Sequence, residues 1–113
     1  MPCLFCEIAA GRVPARIAWQ DDTVLAFHDT NPQGPVHILI IPKRHITSLL
    51  DLEPGDDQLV GSLVRRARDL AVQEGLSDRG FRLVFNYGQD AGYSVYHIHL
   101  HLVGGRKLGW PPG

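Results

Sequence analysis

Three histidines alternate with apolar residues near the end of the chain, at positions 97, 99 and 101. Histidine is nucleophilic while neutral near pH 7, and it is also an acid, a base and a metal ligand. Because side chains alternate between the two faces of a strand, this pattern predicts a strand over residues 95–103 with the three imidazoles on one face, roughly 6.5 to 7 Å apart. Such a row fits a three-histidine metal site or metal-free covalent catalysis at phosphorus, and is less typical of an ordinary solvated face.

Two cysteines near the start of the chain form a second group with possible chemistry. Cys3 and Cys6 have the spacing that places two sulfurs on one face of a helix. In a reducing compartment the pair is expected to be two thiols or two metal ligands rather than a disulfide. A zinc that completes its shell with two histidines would be chemically ordinary, although the C-x-x-C spacing alone is weak evidence.

The elements that must position these residues follow from the hydrophobic pattern. Apolar residues at helical spacing, followed by Gly11, predict a short N-terminal helix. A longer periodic stretch predicts one long helix from about Pro54 to Glu74, followed by Gly75. Alternating or β-branched runs predict five strands, at residues 17–20, 24–28, 36–41, 81–87 and 95–103.

The order of these elements indicates the fold class. Strands with hairpin-length connections and a single long helix favour an α+β fold, in which one long and one short helix pack on an antiparallel five-stranded sheet. A doubly wound parallel sheet would need crossover helices that this pattern lacks. The length of 113 residues predicts a single domain over residues 1–113.

Composition excludes several classes of partner. The net charge of -1 provides no field that would concentrate a polyanion, so we expect no nucleic-acid partner. No apolar run is as long as a membrane span, and the first residues lack the features of a secretory signal. We therefore expect a cytoplasmic protein that does not bind membranes.

Residues 97–103 resemble the His-φ-His-φ-His-φ-φ signature, with φ apolar, of the histidine-triad (HIT) superfamily of nucleotide hydrolases and transferases. Further stretches resemble the Hint branch of nucleotide-binding proteins in that superfamily, at residues 27–29, 32–33, 41–45, 86, 92–96 and 104–113. The resemblance implies a HIT-like fold that forms a two-fold homodimer. In that dimer the C-terminal tail, residues 104–113, would reach the partner subunit's site and influence specificity.

The resemblance also implies a role for each of four histidines. His99 matches the nucleophile, which would attack the α-phosphorus of a nucleotide and form a nucleotidyl-imidazole that water then hydrolyses. His101 matches the position at the phosphate and leaving group, where a general acid is plausible. His97 matches the position beside the nucleophile, and His37 matches a histidine of the pocket wall; which histidine supplies the proton stays open.

The same resemblance implies a set of nucleotide-binding residues. Asp29 matches the carboxylate that binds the ribose. The phosphate cradle is matched by Asn86, Gly92, Ser94 and Val95. The apolar slot for a purine base is matched by Leu4, Phe5, Ile8, Val13 and Phe27. Thr30 and Tyr93 also match binding positions, but better-known members often have other residues there, so contacts to the ribose and leaving group are expected to differ.

Zinc-carrying members of the superfamily have ligands at positions that match two histidines here. The resemblance therefore implies a structural zinc held by Cys3, Cys6, His45 and His97. The zinc would then stabilise the fold rather than act as a Lewis acid, and His99 would stay free for covalent chemistry. No organic cofactor is expected.

The expected activity is that of a purine nucleoside phosphoramidase, which cleaves the P–N bond of AMP or GMP phosphoramidates. The ending at residues 110–113 favours the Hint branch over the dinucleoside polyphosphate hydrolases, the first alternative. The transferases usually replace the third histidine with glutamine, so His101 makes transfer a weaker alternative. A nucleotide-sensing protein without chemistry is the alternative from another class, and the complete triad does not favour it.

Overall fold

The computed structural model describes residues 3–113 and contains a five-stranded antiparallel sheet with a helix on each face. The main elements are α1 (Leu4–Ala9), β1 (Ile17–Gln20), β2 (Val24–His28), β3 (Val36–Pro42), α2 (Asp57–Gln73), β4 (Phe81–Phe85) and β5 (Leu100–Gly104). Single turns of 3₁₀ helix lie at Leu49–Asp51, Pro54–Asp56 and Gln89–Ala91. The strand order β1-β2-β3-β5-β4 and the antiparallel pairing confirm the predicted α+β fold.

The central strand β3 is buried on both faces of the sheet. Ile38 and Ile40 pack in the core beneath α2, whereas Leu39 and Ile41 pack on the other face with α1. Because neither face meets water, residues 38–42 of this strand are a continuous apolar run instead of an alternating one. The helix α1 has only six residues, which is too short to cover its face of the sheet, and the remaining space on that face forms the cavity described below.

The long helix α2 ends where the sequence predicted. Gly75 adopts a φ of +79°. The Leu76 N–H donates to the Ala71 carbonyl at 2.9 Å, and the Gly75 N–H donates to the Val72 carbonyl at 3.1 Å, which is a Schellman motif. The predicted first turn at Pro54–Asp56 is a 3₁₀ helix instead of an α-helix. Among residues 3–113, no helix combines the length and apolar character that crossing a bilayer requires.

The last strand is shorter than the sequence predicted. It begins at Leu100 instead of residue 95, so His97 and His99 precede it. Leu100 pairs with Ile40 of β3, and the ladder stops soon afterwards because β3 ends at Pro42, which has no N–H to donate. The prediction that three imidazoles line one face of a strand is therefore wrong for His97 and His99. Strand β4 is shorter as well, since it ends at Phe85 rather than at residue 87.

The chain after β5 runs back along its own sheet. Arg106 Nε donates to the carbonyl of Gln33 at 2.7 Å, and a guanidinium nitrogen of Arg82 donates to the carbonyl of Gly109 at 2.8 Å. The side chain of Trp110 is exposed at 83%. The predicted contact of this tail with a partner subunit stays a prediction.

Candidate active site

A cavity of about 400 Å³ opens on the face of the sheet that carries α1. Its volume lies in the range of small-molecule binding sites. Of the predicted site residues outside the Cys/His group, His37 lies behind the wall and the others line the cavity. These lining residues are Leu4, Phe5, Ile8, Val13, Phe27, Asp29, Thr30, Asn86, Gly92, Tyr93, Ser94, Val95, His99 and His101.

The apolar end of the cavity is formed jointly by α1 and β2. Phe5 and Phe27 meet edge to face, with ring centroids 5.4 Å apart. Both are buried together with Ile8 in the core cluster on this face, so they serve the fold as well as the cavity. Leu4, by contrast, is 49% exposed and does not belong to that core. The opposite rim contains Gly92 in the left-handed conformation, with φ +75°, at the end of a short turn.

The imidazole of His99 has a defined orientation and tautomer. Its Nδ1–H donates to the carbonyl oxygen of His97 at 2.8 Å, because a carbonyl can only accept. In the neutral ring Nε2 therefore carries a lone pair and no proton. Burial lowers the pKa of His99, although the His97 carbonyl and the nearby Asp29 carboxylate act in the opposite direction. His99 thus presents the neutral form that a nucleophilic imidazole requires.

A second chain of hydrogen bonds fixes the tautomer of His101. The backbone N–H of Gln33 donates to Nδ1 of His37 at 3.0 Å, so the proton of the neutral His37 ring is on Nε2. That nitrogen lies 2.9 Å from Nδ1 of His101, which must accept. His101 consequently carries its own proton on Nε2. Burial, followed by the proximity of His99 and His37, lowers the pKa of His101 to about 4.

The two cavity histidines therefore complement each other. Their ring centroids are 4.9 Å apart, with an unprotonated Nε2 on His99 and an Nε2–H on His101. The Asp29 carboxylate lies 3.4 Å from Nε2 of His37, where it can stabilise an additional proton on the His37–His101 pair. A nucleophilic lone pair beside a hydrogen-bond donor is the arrangement that displacement at an anionic phosphorus centre needs.

Sequence reasoning missed five residues of this site. His28 lines the cavity at the end of β2, between two residues that were predicted, and that position was the available signal. Gln33 acts through its backbone N–H, a contribution that no side-chain type could indicate. Pro14, Ala15 and Leu39 also line the cavity and were not predicted.

The two cysteines and two of the histidines form a separate cluster beside the cavity. His97 Nδ1 is 3.4 Å from Cys3 Sγ and 3.5 Å from Cys6 Sγ, and His45 Nδ1 is 3.4 Å from Cys6 Sγ. The four candidate ligand atoms lie within 4.8 Å of one another. The structure thus brings together all four predicted zinc ligands, Cys3, Cys6, His45 and His97.

The surroundings of this cluster fit a tetrahedral metal ion. Zinc bonds of about 2.0–2.3 Å place neighbouring N and S ligands roughly 3.5 Å apart, close to the observed separations. His97 is fully buried, and its Nε2–H donates to the Pro42 carbonyl at 2.7 Å, which leaves Nδ1 as the unprotonated ligand atom. His45 Nε2 lies 3.1 Å from the Thr47 hydroxyl, so this ring also turns Nδ1 towards the sulfurs.

A larger groove of about 760 Å³ lies at another end of the molecule, between the C-terminal end of α2, the start of β4 and the tail. It contains none of the six histidines, and its walls combine turn backbone with basic side chains such as Arg79 and Arg82. Size alone would favour this groove. The positioned imidazoles are in the smaller cavity, which is therefore the candidate active site.

Comparisons with known proteins identify relatives of this chain in sequence and in structure. A family model described as "Scavenger mRNA decapping enzyme C-term binding" matches residues 2–109. The 14 kDa zinc-binding protein of Brassica juncea is 48% identical over 112 residues, which cover 97% of this chain and 98% of that protein. Adenylylsulfatase HINT1 of Arabidopsis thaliana is 47% identical over 114 residues, which cover 99% of this chain and 77% of that protein. The crystal structure of a HIT family hydrolase from Legionella pneumophila superposes with a TM-score of 0.97 at 52% identity, and the match covers 99% of this chain and 100% of that one.

Proposed function

This chain belongs to the histidine-triad (HIT) family, and on that premise we propose that it hydrolyses purine nucleoside 5'-phosphoramidates at the α-phosphorus. The products would be AMP or GMP and a free amine. One observation carries the proposal: His99 and His101 share a cavity in complementary tautomers, with a lone pair on one Nε2 and a proton on the other.

The proposed reaction begins with attack by His99. The Nε2 lone pair forms a bond to the α-phosphorus while the P–N bond to the amine breaks, which gives a nucleotidyl-His99 intermediate. The His97 carbonyl stabilises the positive charge that develops on the imidazole, because it accepts a hydrogen bond from Nδ1. His101 Nε2–H donates to a phosphate oxygen, where negative charge increases.

The departing amine needs a proton, and the His37–His101 pair is the proposed source. His101 is neutral before the substrate binds, because its pKa is about 4. An anionic phosphate beside it favours uptake of one proton, which Asp29, 3.4 Å from His37 Nε2, helps to stabilise. The added proton occupies Nδ1 of His101 as the His37 Nε2–H turns to Asp29, and His101 passes its Nε2 proton to the leaving nitrogen. Water then attacks the phosphorus of the intermediate and gives one proton to Nε2 of His101, while the P–N bond to His99 breaks and the nucleoside monophosphate is released.

The cavity walls support the assignment of a purine nucleotide. The apolar end between Phe5 and Phe27 can enclose a base, and Asp29 can accept hydrogen bonds from ribose hydroxyls. Gly92 has no Cβ to hold a phosphate away from the backbone. Of the Asp29 oxygens, Oδ1 already accepts from the backbone N–H of Asn31 at 2.8 Å, which orients the carboxylate.

We also propose that Cys3, Cys6, His45 and His97 hold a structural zinc ion. The fit of their ligand atoms supports this, as does the name of the relative from Brassica juncea. When bound, the ion would have four protein ligands and no open position for substrate. It would cross-link α1, the segment after β3 and the segment before β5 without taking part in the reaction. Burial and the adjacent Cys3 raise the pKa of the Cys6 thiol, which favours the uncharged form. Two thiolates at this distance therefore need a cation to offset their charge.

A homodimer is part of the same proposal. The sheet ends at β4, which leaves an open strand edge on which a second copy could continue the sheet. Phe81 on that strand is 38% exposed, and the tail with Trp110 lies beside the same edge. Burial of these groups against a partner would remove the edge from water.

Adenylyl sulfate is a second candidate substrate, because the relative from Arabidopsis thaliana is named an adenylylsulfatase. Attack by His99 on the α-phosphorus would be the same, but the leaving groups differ. Sulfate departs as a stable anion that needs no proton, whereas an amine must be protonated as it leaves. The contribution of His101 can therefore distinguish the two reactions.

Both compounds should be assayed with the wild-type protein and with His101→Asn. We expect the wild type to release AMP from adenosine 5'-phosphoramidate. His101→Asn should lower kcat for the phosphoramidate by roughly 10²-fold or more, the usual share of a general acid, and lower kcat for adenylyl sulfate by much less. Equal losses on both substrates would contradict the general-acid role of His101. Absence of turnover on either compound, with nucleotide binding retained, would favour the nucleotide-sensing alternative.

The low pKa of His101 also predicts how stability depends on pH. An unfolded histidine has a pKa of about 6.5, whereas that of His101 in the folded protein is about 4. Between these values the unfolded state binds more protons, so the free energy of unfolding falls as the pH is lowered from 6.5 towards 4. We expect His101→Asn to remove part of this pH dependence. The rest should persist, because burial also lowers the pKa values of His37 and His99.

Thermal denaturation at a fixed zinc concentration tests this expectation. The decrease in Tm between pH 7 and pH 4.5 should be smaller in His101→Asn than in the wild type. His37 keeps a partner in this variant, because asparagine offers an acceptor oxygen and Asp29 remains nearby. Identical decreases in the two proteins would show that His101 is protonated equally in the folded and unfolded states.

A further inference from the structure

Tyr93 lines the cavity, but its polar atom is engaged elsewhere. The hydroxyl donates to the carbonyl oxygen of Thr47 at 2.6 Å, and the backbone N–H donates to the carbonyl of Gly88 at 3.1 Å. The residue is only 7% exposed. Burial raises the pKa of Tyr93 to about 12, so the phenol remains a donor across the physiological range. The sequence predicted a nucleotide contact at this position, yet the hydroxyl already has a partner within the protein.

The ring of Tyr93 is stacked on the imidazole of His99. Their centroids are 5.6 Å apart and their planes differ by 18°. Phe5 approaches the same imidazole edge to face, with a centroid distance of 5.1 Å and an angle of 87°. His99 thus lies between a parallel ring and a perpendicular ring, both of which are buried.

The hydrogen bond between His99 and the His97 carbonyl cannot by itself fix the imidazole plane. One bond at Nδ1 restrains one edge of the ring, and the ring can still rock about that bond. The lone pair on Nε2 lies in the ring plane, so rocking changes the direction in which the nucleophile points. A contact on one face of the ring restrains this motion, and the offset-stacked ring of Tyr93 provides that contact.

The anchor of Tyr93 is itself restrained. The segment that contains Thr47 is held next to the segment before β5, because the Ile98 N–H donates to the Ile46 carbonyl at 2.8 Å. The Thr47 hydroxyl lies 3.1 Å from Nε2 of His45, one of the proposed zinc ligands. The tyrosine is therefore fixed to a part of the chain that does not belong to the cavity wall.

We propose that Tyr93 is a positioning residue that holds the imidazole plane of His99, with the Thr47 carbonyl as its anchor. The inference rests on the proposed function only in treating His99 as the nucleophile. It assigns the ring of Tyr93 to the nucleophile instead of to the substrate. Loss of the ring should therefore lower kcat while KM changes little, because substrate contacts are preserved.

Two substitutions at Tyr93 distinguish the contribution of the ring to kcat from that of the hydroxyl. Tyr93→Leu removes the planar face, and we expect kcat for the phosphoramidate to fall roughly 10- to 100-fold, with KM within about threefold of the wild type. Tyr93→Phe keeps the face and loses only the anchor, so its kcat should fall by less than that of Tyr93→Leu, by roughly two- to tenfold. The matched controls are Tyr96→Leu and Tyr96→Phe, because Tyr96 contacts Tyr93 at 5.5 Å between ring centroids and is 63% exposed.

A measurement without substrate completes the test. In the wild type, ¹⁵N NMR of the imidazoles should give a single His99 tautomer with Nδ1–H protected from exchange with water. In Tyr93→Leu that proton should exchange faster and the resonance should broaden, whereas both Tyr96 variants should match the wild type. This result is independent of turnover, so failure of the proposed phosphoramidase activity would leave it intact.

Two outcomes would overturn the inference. One is a Tyr93→Leu protein whose His99 resonance and kcat equal those of the wild type. The other is a rise in KM without a fall in kcat, which would make Tyr93 a substrate contact. If Tyr93→Leu does not fold, Tyr93→Phe decides: a fall in kcat at constant KM, absent from Tyr96→Phe, supports the anchor, and unchanged kcat with unchanged exchange of the His99 proton rejects it.

Discussion

Substitution of His99 by glycine is expected to reduce kcat/KM for adenosine 5'-phosphoramidate by about 10⁴-fold or more, as removal of a nucleophile does in other covalent mechanisms. The hydrogen bond from Nδ1 to the His97 carbonyl leaves Nε2 as the unprotonated nitrogen in the cavity. His101 cannot replace it, because its proton is on Nε2 and its Nδ1 is occupied by His37. The loss should therefore be nearly complete instead of partial.

Three measurements make this expectation specific to covalent chemistry. Intact mass spectrometry of wild-type protein quenched during turnover should detect one added nucleotidyl group, and His99→Gly should show none. Free imidazole should restore part of the activity of His99→Gly, since the variant leaves space for a small nucleophile. The control His28→Asn, which removes an imidazole from another wall of the cavity, should lose no more than roughly tenfold. Full activity in His99→Gly would refute the mechanism.

Removal of the proposed zinc is expected to cause the largest loss of stability. A ligand present at about 1,000 times its Kd stabilises the folded state by about 4 kcal/mol. For a domain near 100 residues, a loss of that size lowers Tm by roughly 15 °C or more. Cys3 also precedes the first turn of α1 and accepts from the Cys6 N–H at 3.5 Å, so release of the ion would loosen the helix that carries Phe5. The cavity wall and the core cluster beneath it would loosen together.

The test combines metal analysis with denaturation. Purified protein should contain one zinc per chain, and both thiols should resist titration until a chelator is added. Cys6→Ser should reproduce the lower Tm of the chelated protein, whereas His28→Asn, which removes a histidine outside the cluster, should retain both the zinc and the Tm. Freely reactive thiols with well under one zinc per chain, at an unchanged Tm, would refute the structural role.

The sequence predicted the fold in detail where local signals were unambiguous. The strands at residues 17–20 and 24–28 are confirmed because polar turn residues bound each apolar run. The C-terminus of α2 is confirmed because Gly75 is suited to the left-handed conformation. The last strand was predicted too long because its length depends on its partner. An alternating pattern cannot reveal that Pro42, more than fifty positions earlier, fails to offer an N–H.

The site was predicted at the level of residue types and not of orientation. A resemblance could assign His99 and His101 to one cavity, and the structure places them there. Their tautomers depend on the carbonyl of His97 and on the N–H of Gln33, which are backbone groups that every residue possesses. The contact between Tyr93 and His99 depends on where the Thr47 carbonyl lies. These features follow from the folded path of the chain.

One residue, His97, links the proposed zinc site to the proposed nucleophile. The side chain of His97 is directed to the two cysteines, while the carbonyl of the same residue holds the imidazole of His99. Under the proposed functions, selection for thermal stability and selection for turnover both act on this position. A protein without the proposed zinc would have to fill the buried space of this side chain and keep the carbonyl in place. We accordingly expect His97 to be among the residues that are least often substituted in relatives of this chain.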